Sequence, residues 1–341
     1  MEYVLLGNTG VLVSPLCLGT MMFGSWGNPD HDESIRVIHA ALDAGINFLD
    51  TANVYSAGES EEIVGKALKG RRDEVVLATK FHGTMGRGPN DRGNSRYHIF
   101  RAVEDSLRRL QTDHIDLYQV HRPDPLMDVG ETLSALSDLV TQGKVRYLGS
   151  STFPAGDMIE AQWAAERRRL KRFVCEQPPY SILVRHIEHS VLPLARKYRM
   201  GVIVWSPLAG GWLSGKFRRG LPAPKTGRAA RVPKRFDHSI PANQRKYDIV
   251  EELIPLADKE GISLVEMSVA WTLEHPAVTS AIIGPRNMDQ LKGQLSAPEI
   301  RLSTETLDAI DEIVPPGVTL NPADEGYEPI WLEAKYRRRR R

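Results

Sequence analysis

The chain has 341 residues, 41% of them hydrophobic and 26% charged, which is typical of a globular protein with a sizeable core. Lys and Arg number 44 against 43 Asp and Glu, so the formal net charge of +1 gives no support to a nucleic-acid partner. The chain has no signal peptide, no run of roughly 20 apolar residues and only two cysteines, Cys17 and Cys175, so we expect a cytoplasmic protein with no membrane partner.

Short apolar runs alternate with longer amphipathic segments eight times along the chain. The runs are rich in β-branched or aromatic residues and are too short for helices, which predicts strands. They cover residues 17–21, 47–50, 75–80, 115–121, 145–151, 173–177, 201–206 and 280–284. The segments between them, such as 33–45 and 97–110, repeat apolar residues at helical spacing. This alternation implies right-handed βαβ crossovers and a parallel sheet.

Eight such units predict a closed (β/α)8 barrel of the TIM-barrel type. An open doubly wound sheet is the competitor, but it usually carries G-x-G-x-x-G after its first strand, and residues 19–24 lack that pattern. Ahead of the first strand, residues 4–14 predict a β-hairpin that closes the N-terminal end of the barrel. We expect one barrel domain over residues 1–330 and a disordered basic tail over 331–341.

Two connections are unusually long, residues 81–95 and about 208–242. Both follow strands, so both are predicted to lie at the C-terminal face, where barrel enzymes carry their active sites. Loops of this length are uncommon unless they are functional or disordered. The Pro- and Arg-rich part, residues 218–241, therefore predicts a mobile lid.

Polar side chains recur at the ends of the predicted strands. Asp50, Lys80 and His121 end strands two, three and four, and Tyr55 follows Asp50 by five residues. A single Asp at a strand end is more often a helix cap than a catalyst, and an Asp50–Lys80 pair also fits a purely structural ion pair. The four residues together favour a catalytic site at the barrel mouth.

Two other enzyme classes fit the residues poorly. A metal-dependent hydrolase needs His and Asp ligands on several strand ends, but a lysine stands between the two candidates, so we expect no metal site. Residues 210–216 nearly match a triphosphate-binding loop. Phe217 stands where that loop needs Ser or Thr for Mg²⁺, which excludes a nucleotide triphosphatase.

Three segments resemble the catalytic motifs of the aldo-keto reductase superfamily: LDTANVY (49–55), LATK (77–80) and DLYQVHRPD (116–124). Further similar motifs continue to about residue 295, and the branch is the bacterial type that resembles potassium-channel beta subunits. The resemblance implies an NADPH-dependent oxidoreductase that reduces an aldehyde or ketone to the alcohol. Its catalytic tetrad falls on Asp50, Tyr55, Lys80 and His121.

Elementary chemistry agrees with these implied roles. Hydride addition to a carbonyl leaves an alkoxide, which needs a proton, and Tyr55 would act as the general acid. An adjacent Lys80 ammonium would stabilise the phenolate that remains, and Asp50 would hold Lys80 in place. His121 would orient the carbonyl oxygen and stabilise the developing charge.

The resemblance also implies a site for NADPH/NADP+. Trp205 would stack on the nicotinamide, while Ser151 and Gln177 would hydrogen-bond its carboxamide. Arg286 would pair with a 2′-phosphate, which favours NADPH over NADH. The other implied cofactor residues are Thr20, Met21 and Asp50 at the ribose, Ser206, Leu208, Gly210, Leu213 and Lys216 around the pyrophosphate, Arg228 in the lid, and Gly284 and Gln290 near strand eight.

The sequence departs from the family pattern at two places. The family commonly has Asn after the serine of strand five, where this chain has Thr152, which keeps a hydroxyl but lacks the amide. It often has Glu-Asn at the adenine, where this chain has Gly293 and Gln294. We therefore expect a changed carboxamide contact and looser adenine recognition.

The substrate is expected to be a small carbonyl compound. The candidate pocket walls are Phe23, Trp26, Phe81, His82, Met85, Arg122 and Trp212. This aromatic and partly basic set suits a bulky or polar carbonyl, and a keto-sugar, a natural-product ketone and an aromatic aldehyde all stay open. A second hypothesis is a cofactor-bound regulatory subunit that resembles potassium-channel beta subunits. One sequence does not decide between a monomer and a homo-oligomer.

Overall fold

Eight parallel strands close into a barrel in this computed structural model, which describes residues 1–222, 227–333 and 336. An antiparallel hairpin of β1 (Val4–Leu5) and β2 (Leu12–Val13) precedes it. The barrel strands are β3 (Leu16–Gly19), β4 (Phe48–Asp50), β5 (Val76–Phe81), β6 (Ile115–Val120), β7 (Val145–Ser151), β8 (Phe173–Gln177), β9 (Gly201–Trp205) and β10 (Ser280–Ile283). They follow one another in sequence order, and β10 pairs with β3 to close the ring. The predicted barrel and hairpin are confirmed.

Helices cross over between the strands and pack around the barrel. They are α1 (His31–Asp43), α2 (Glu59–Ala67), α3 (Arg96–Leu110), α4 (Val129–Thr141), α5 (Ala155–Arg168), α6 (Val191–Tyr198), α7 (Gly227–Arg231), α8 (Pro241–Lys259), α9 (Leu264–Glu274), α10 (Met288–Lys292) and α11 (Thr304–Ile313). Local signals fix their starts: Asp30 caps α1, and Ser263 with Glu266 forms a capping box on α9. None of the described helices is long and apolar enough to span a membrane.

The hairpin closes one end of the barrel. Leu6 and Val13 are fully buried and pack with Cys17, which lies on β3 inside the barrel. Gly7 adopts a left-handed φ of 56°, and a Cβ atom there would lie 2.5 Å from the backbone nitrogen of Gly201. Only glycine therefore allows the hairpin to approach β9 this closely.

Strand residues alternate between the barrel interior and the helices, which decides which side chains reach the mouth. On β5, Ala78 packs inside the barrel, whereas Leu77 and Phe81 pack in the layer between strands and helices. Phe81 is fully buried, and its ring centroid lies 4.9 Å from that of Tyr118. The prediction that Phe81 lines the substrate pocket is therefore wrong, because its side chain points away from the mouth.

The long connection after β9 is at least partly folded. Its described part contains a 3-10 turn at Ala209–Ser214, the short helix α7 and a second turn at Pro233–Arg235. Residues 223–226 of the predicted lid lie outside the described residues, as do residues 334, 335 and 337–341 of the predicted tail. The mobility of the lid and the disorder of the tail stay predictions.

Candidate active site

Four titratable side chains meet at the C-terminal mouth of the barrel. Asp50 is the last residue of β4, Lys80 lies near the end of β5, and His121 follows β6 directly. Tyr55 begins a 3-10 turn, Tyr55–Gly58, in the loop that leads into α2. The predicted tetrad is thus brought together by three neighbouring strands, because the carboxyl ends of parallel strands share one edge.

Lys80 lies at the centre of this group and is completely buried. Its Nζ donates to Asp50 Oδ1 at 2.5 Å, to the Thr51 carbonyl oxygen at 2.7 Å and to the Tyr55 hydroxyl at 3.3 Å. These three bonds use all three protons of an ammonium. Burial lowers the pKa of Lys80, but attraction to Asp50 and then Tyr55 outweighs burial and raises it above its ordinary value. Lys80 is therefore a cation throughout the neutral range.

Two amide side chains hold the second oxygen of Asp50. Gln177 Nε2 donates to Asp50 Oδ2 at 2.8 Å, and Gln119 Nε2 donates to the same atom at 3.1 Å. The two amides also touch each other, with Gln177 Nε2 at 3.2 Å from Gln119 Oε1. Sequence reasoning missed Gln119. Its signal is the strand period of two, since Leu117, Gln119 and His121 share the inward face of β6.

His121 faces Tyr55 across the mouth. Their ring centroids are 5.9 Å apart and the rings are nearly perpendicular, at 81°. Burial lowers the pKa of His121 well below its ordinary value, and the positive charges of Arg122 and Lys80 lower it further. The imidazole is therefore neutral near pH 7, with one ring nitrogen able to donate and one able to accept a hydrogen bond.

A strained turn presents Tyr55 to the mouth. Ser56 and Ala57, which follow it, have left-handed φ angles of 48° and 55°. The Ser56 hydroxyl ties this turn to the loop after β3, because it accepts from the Trp26 backbone N–H at 3.1 Å and donates to the Phe23 carbonyl at 3.2 Å. Trp26 itself lies 6.1 Å from Tyr55, ring centroid to ring centroid. Strain of this kind is usual at functional positions.

The predicted nicotinamide contacts lie on the next strands of the ring. Trp205 ends β9 and is only half-buried. The Ser151 hydroxyl donates to the Gln177 carbonyl at 2.9 Å, so β7 and β8 are joined here. Thr152 has a φ of 60°, and its Oγ1 accepts from Arg122 Nη1 at 3.2 Å. A flat ring and several hydrogen-bonding groups thus border the tetrad.

A narrow cleft continues from Trp205 towards the lid and includes Ser206, Gly210, Arg228, Arg235 and Asp324 in its lining. Burial lowers the pKa of Arg228 to about 10, and repulsion from Arg235 and Arg231 adds to the effect. Within residues 1–222, 227–333 and 336, no carboxylate comes within 4 Å of Arg228. A buried guanidinium among like charges suits a bound anion, so this donor set fits the phosphates of a dinucleotide.

The remaining predicted cofactor residues lie around this cleft in different environments. Thr20 is fully buried, and its Oγ1 lies 2.8 Å from Ser60 Oγ. Gln290 Oε1 accepts from the Arg286 N–H at 3.0 Å, and α10 begins just after Asn287. Met21 and Leu208 are half-buried, Lys216 and Gly284 are exposed, and Leu213 is buried in the core.

Several predicted pocket walls do not reach the mouth. Trp212 is fully buried and stacks on Phe217 at 4.3 Å between ring centroids, beneath the lid. Phe23 is also fully buried in the core, and Met85 lines a separate cavity near α3. The predictions for Phe23 and Trp212 are wrong for the same reason as that for Phe81, because their side chains point into packed layers. Met85 is half-buried, and its place in the substrate pocket stays a prediction. Trp26, His82 and Arg122 are partly exposed and lie in loops at the mouth.

Comparison with known proteins supports one family. The sequence pattern of the Aldo/keto reductase family matches residues 15–315. An uncharacterized oxidoreductase of Bacillus subtilis, YrpG, is 44% identical, over 92% of this chain and 96% of its own. The aldo-keto reductase YhdN of the same organism is 38% identical, over 86% and 87%. A probable voltage-gated potassium channel subunit beta of Oryza sativa is 36% identical, over 92% and 97%. The chain belongs to the aldo/keto reductase family of oxidoreductases.

Proposed function

We propose that this oxidoreductase uses NADPH to reduce an aldehyde or ketone to the alcohol, with Tyr55 as the general acid. The observation that carries the proposal is the position of Lys80 Nζ, 3.3 Å from the Tyr55 hydroxyl while Asp50 and Thr51 hold it from behind. A fixed ammonium beside a phenol lowers the cost of removing the phenolic proton. That is the property a tyrosine acid needs.

The cofactor supplies the hydride that adds to the carbonyl carbon. Tyr55 then gives its proton to the carbonyl oxygen, and Lys80 stabilises the phenolate left behind. The neutral His121, 5.9 Å from Tyr55 between ring centroids, donates a hydrogen bond to the same oxygen and fixes its direction. Asp50 keeps Lys80 aligned, and Gln119 and Gln177 keep Asp50 aligned.

The preference for NADPH over NADH rests on the cationic side of the cleft. Arg228 lies among other arginines, and Arg286 follows β10 close to the start of α10. A planar guanidinium binds a phosphate through two parallel hydrogen bonds, and only NADPH carries the 2′-phosphate. Trp205, Ser151 and Gln177 are the groups that would hold the nicotinamide.

A binding and turnover experiment tests both the preference for NADPH and the role of Tyr55 as the acid. Tryptophan fluorescence should be quenched saturably by NADPH and more weakly by NADH, and Arg286→Leu should remove that difference. Tyr55→Phe should keep NADPH binding but lose carbonyl reduction, while Tyr97→Phe, an exposed control on α3, keeps both. Full turnover by Tyr55→Phe would overturn the assignment of the acid, and absence of NADPH binding would overturn the cofactor.

A second candidate function is a cofactor-bound subunit of a channel, and the 36% identity to the rice protein favours it. The two functions share the barrel and the cofactor site, so binding of NADPH does not separate them. Turnover does. Stoichiometric association with a potassium channel, together with no reduction of any carbonyl, would favour the subunit.

A further inference from the structure

Arg122 carries a positive charge that the described part of the protein does not neutralise. It follows His121 at the end of β6, and its Nη1 donates to the His121 carbonyl at 2.5 Å and to Thr152 Oγ1 at 3.2 Å. Both acceptors are uncharged. No carboxylate among the described residues lies within 4 Å of its guanidinium. A guanidinium has five N–H donors, so most of them are available to a ligand.

The surroundings of Arg122 make an unpaired cation costly. Burial lowers its pKa, and Arg235 also disfavours its charge. A carboxyl that favours its charge is Glu176, which is fully buried and accepts from the Phe153 N–H at 3.0 Å. Burial raises the pKa of Glu176 to about 7, so that group is only partly ionised at neutral pH. Arg122 therefore lacks a full counter-charge among the described residues, and its partly exposed guanidinium can be reached from the mouth.

The proposed phosphate contacts, Arg228 and Arg286, follow other strands than Arg122 does. In the barrel order, β6 lies opposite β10, with three strands between them on either side. Arg122 follows β6, whereas Arg286 follows β10, and Arg228 lies beside Gly210 after β9. An anion held by Arg122 would lie on the side of the mouth that carries His121, across the barrel from β10 and Arg286.

We propose that the carbonyl substrate of this enzyme carries a carboxylate, which Arg122 binds while the carbonyl oxygen lies between Tyr55 and His121. The inference rests on the proposed reductase function and names its substrate class. A carboxylate accepts two parallel hydrogen bonds from a guanidinium, so the contact fixes the orientation of the substrate as well as its affinity. Trp26, with its ring 6.1 Å from that of Tyr55, provides an apolar wall for the body of the substrate.

Two benzaldehydes that differ only in charge test the proposal: 4-carboxybenzaldehyde and its methyl ester. We expect wild-type kcat/KM to favour the carboxylate by at least about tenfold, because a hydrogen-bonded charge pair is worth that much or more. Arg122→Met should raise the KM for 4-carboxybenzaldehyde and so bring this ratio close to one. Arg122→Lys should keep part of the preference for the carboxylate. Arg172→Met, a control on an exposed arginine just before β8 at the opposite end of the barrel, should leave the ratio unchanged.

A binding measurement keeps the proposal testable without turnover. Calorimetry of benzoate and benzamide with the NADP+-loaded protein should show tighter binding of benzoate in the wild type and no difference in Arg122→Met. Equal kcat/KM for the two aldehydes, or equal binding of benzoate and benzamide, would overturn the substrate class but leave the reductase standing. Tight benzoate binding with no reduction of any carbonyl would instead overturn the reductase. If Arg122→Met does not fold, the proposal is tested by the wild-type protein alone, through the ratio of its kcat/KM values for 4-carboxybenzaldehyde and the methyl ester.

Discussion

Two buried ion pairs lie on opposite faces of the same strand and serve different purposes. Asp50 and Lys80 meet inside the barrel mouth, whereas Glu61 of α2 and Arg109 of α3 meet between the helices, with Arg109 Nε 2.7 Å from Glu61 Oε2. Thr79, next to Lys80 on β5, donates to Glu61 Oε1 at 2.6 Å. Neighbouring residues of one strand thus belong to two separate charge clusters.

The two clusters differ in the groups that the cation contacts besides its carboxylate partner. Arg109 packs against Gly58, where a Cβ atom would lie 2.8 Å from Arg109 Cδ, and it contacts none of the four tetrad side chains through a hydrogen bond or ion pair among the described residues. Lys80 instead gives its third proton to the hydroxyl of Tyr55, a half-buried side chain at the mouth. Burial of an ion pair therefore does not mark a catalytic site. An adjacent, accessible acid does.

Removal of Lys80 should have the largest effect on turnover, and it should also lower the free energy of unfolding because it leaves the buried Asp50 without its cation. Lys80→Met deletes the charge that stabilises the Tyr55 phenolate, so we expect kcat for carbonyl reduction to drop by ~10²–10⁴-fold. NADPH binding, followed by tryptophan fluorescence, should persist, because no predicted phosphate contact is altered. A kcat within tenfold of the wild type would show that the mouth pair is structural, like the pair between the helices.

Removal of Arg109 should act on stability alone. Arg109→Met leaves Glu61, which is fully buried, without its cation, and we expect the free energy of unfolding to fall by about 4 kcal/mol. Urea unfolding measures this loss. Turnover per folded molecule should stay within about threefold of the wild type, since the substitution touches none of the proposed catalytic groups.

The neighbouring Arg108 provides the matched control for this comparison. Arg108 pairs with Asp105 on the exposed side of α3, so Arg108→Met should change the free energy of unfolding by less than about 1 kcal/mol. Equal losses for Arg108→Met and Arg109→Met would contradict the structural role given to the Glu61–Arg109 pair.

A third buried charge, Glu176, should make stability depend on pH. Burial raises its pKa from 4.5 to about 7, so between these values the folded protein holds a proton that the unfolded chain has lost. The contribution of Glu176 to stability therefore falls as pH rises from about 4.5 to about 7, by about 3 kcal/mol in total.

Glu176→Gln isolates this contribution. The amide cannot ionise but can still accept from the Phe153 N–H. Relative to the variant, the wild type should lose stability as urea unfolding is repeated from pH 5 to about pH 7, and the difference should level off towards pH 8. A constant difference between the two proteins across that range would contradict the shifted pKa.

The interior pair was easier to predict than the pair between the helices. Asp50 and Lys80 end two strands that are recognisable from their apolar runs, and strand ends of a parallel barrel meet at one face. Glu61 and Arg109 are 48 residues apart on amphipathic helices, where charges usually face solvent. Their burial depends on how α2 packs on α3, which no local pattern specifies.

The wrong predictions of pocket walls have two different physical causes. Phe81 follows Lys80 directly, so the strand period of two places the two side chains on opposite faces of β5. Trp212 is different. Its partners Phe217 and Phe236 lie in the long connection after β9 and Tyr247 lies on α8, so its burial arises only when that connection packs against α8.

The smallest predicted effect concerns Thr152, on the rim between the mouth and the cofactor cleft. Its φ of 60° is unfavourable for a β-branched residue, whereas Asn tolerates this region. We expect Thr152→Asn to raise the free energy of unfolding by about 1 kcal/mol, measured by urea unfolding. Thr152→Val is the control, because it keeps the branched Cβ and loses the hydroxyl that accepts from Arg122, and it should bring no gain. Equal stability of the Asn and Val variants would show that the left-handed backbone at this rim costs nothing. The departure from the family's Asn would then reflect the bond to Arg122 rather than tolerance of strain.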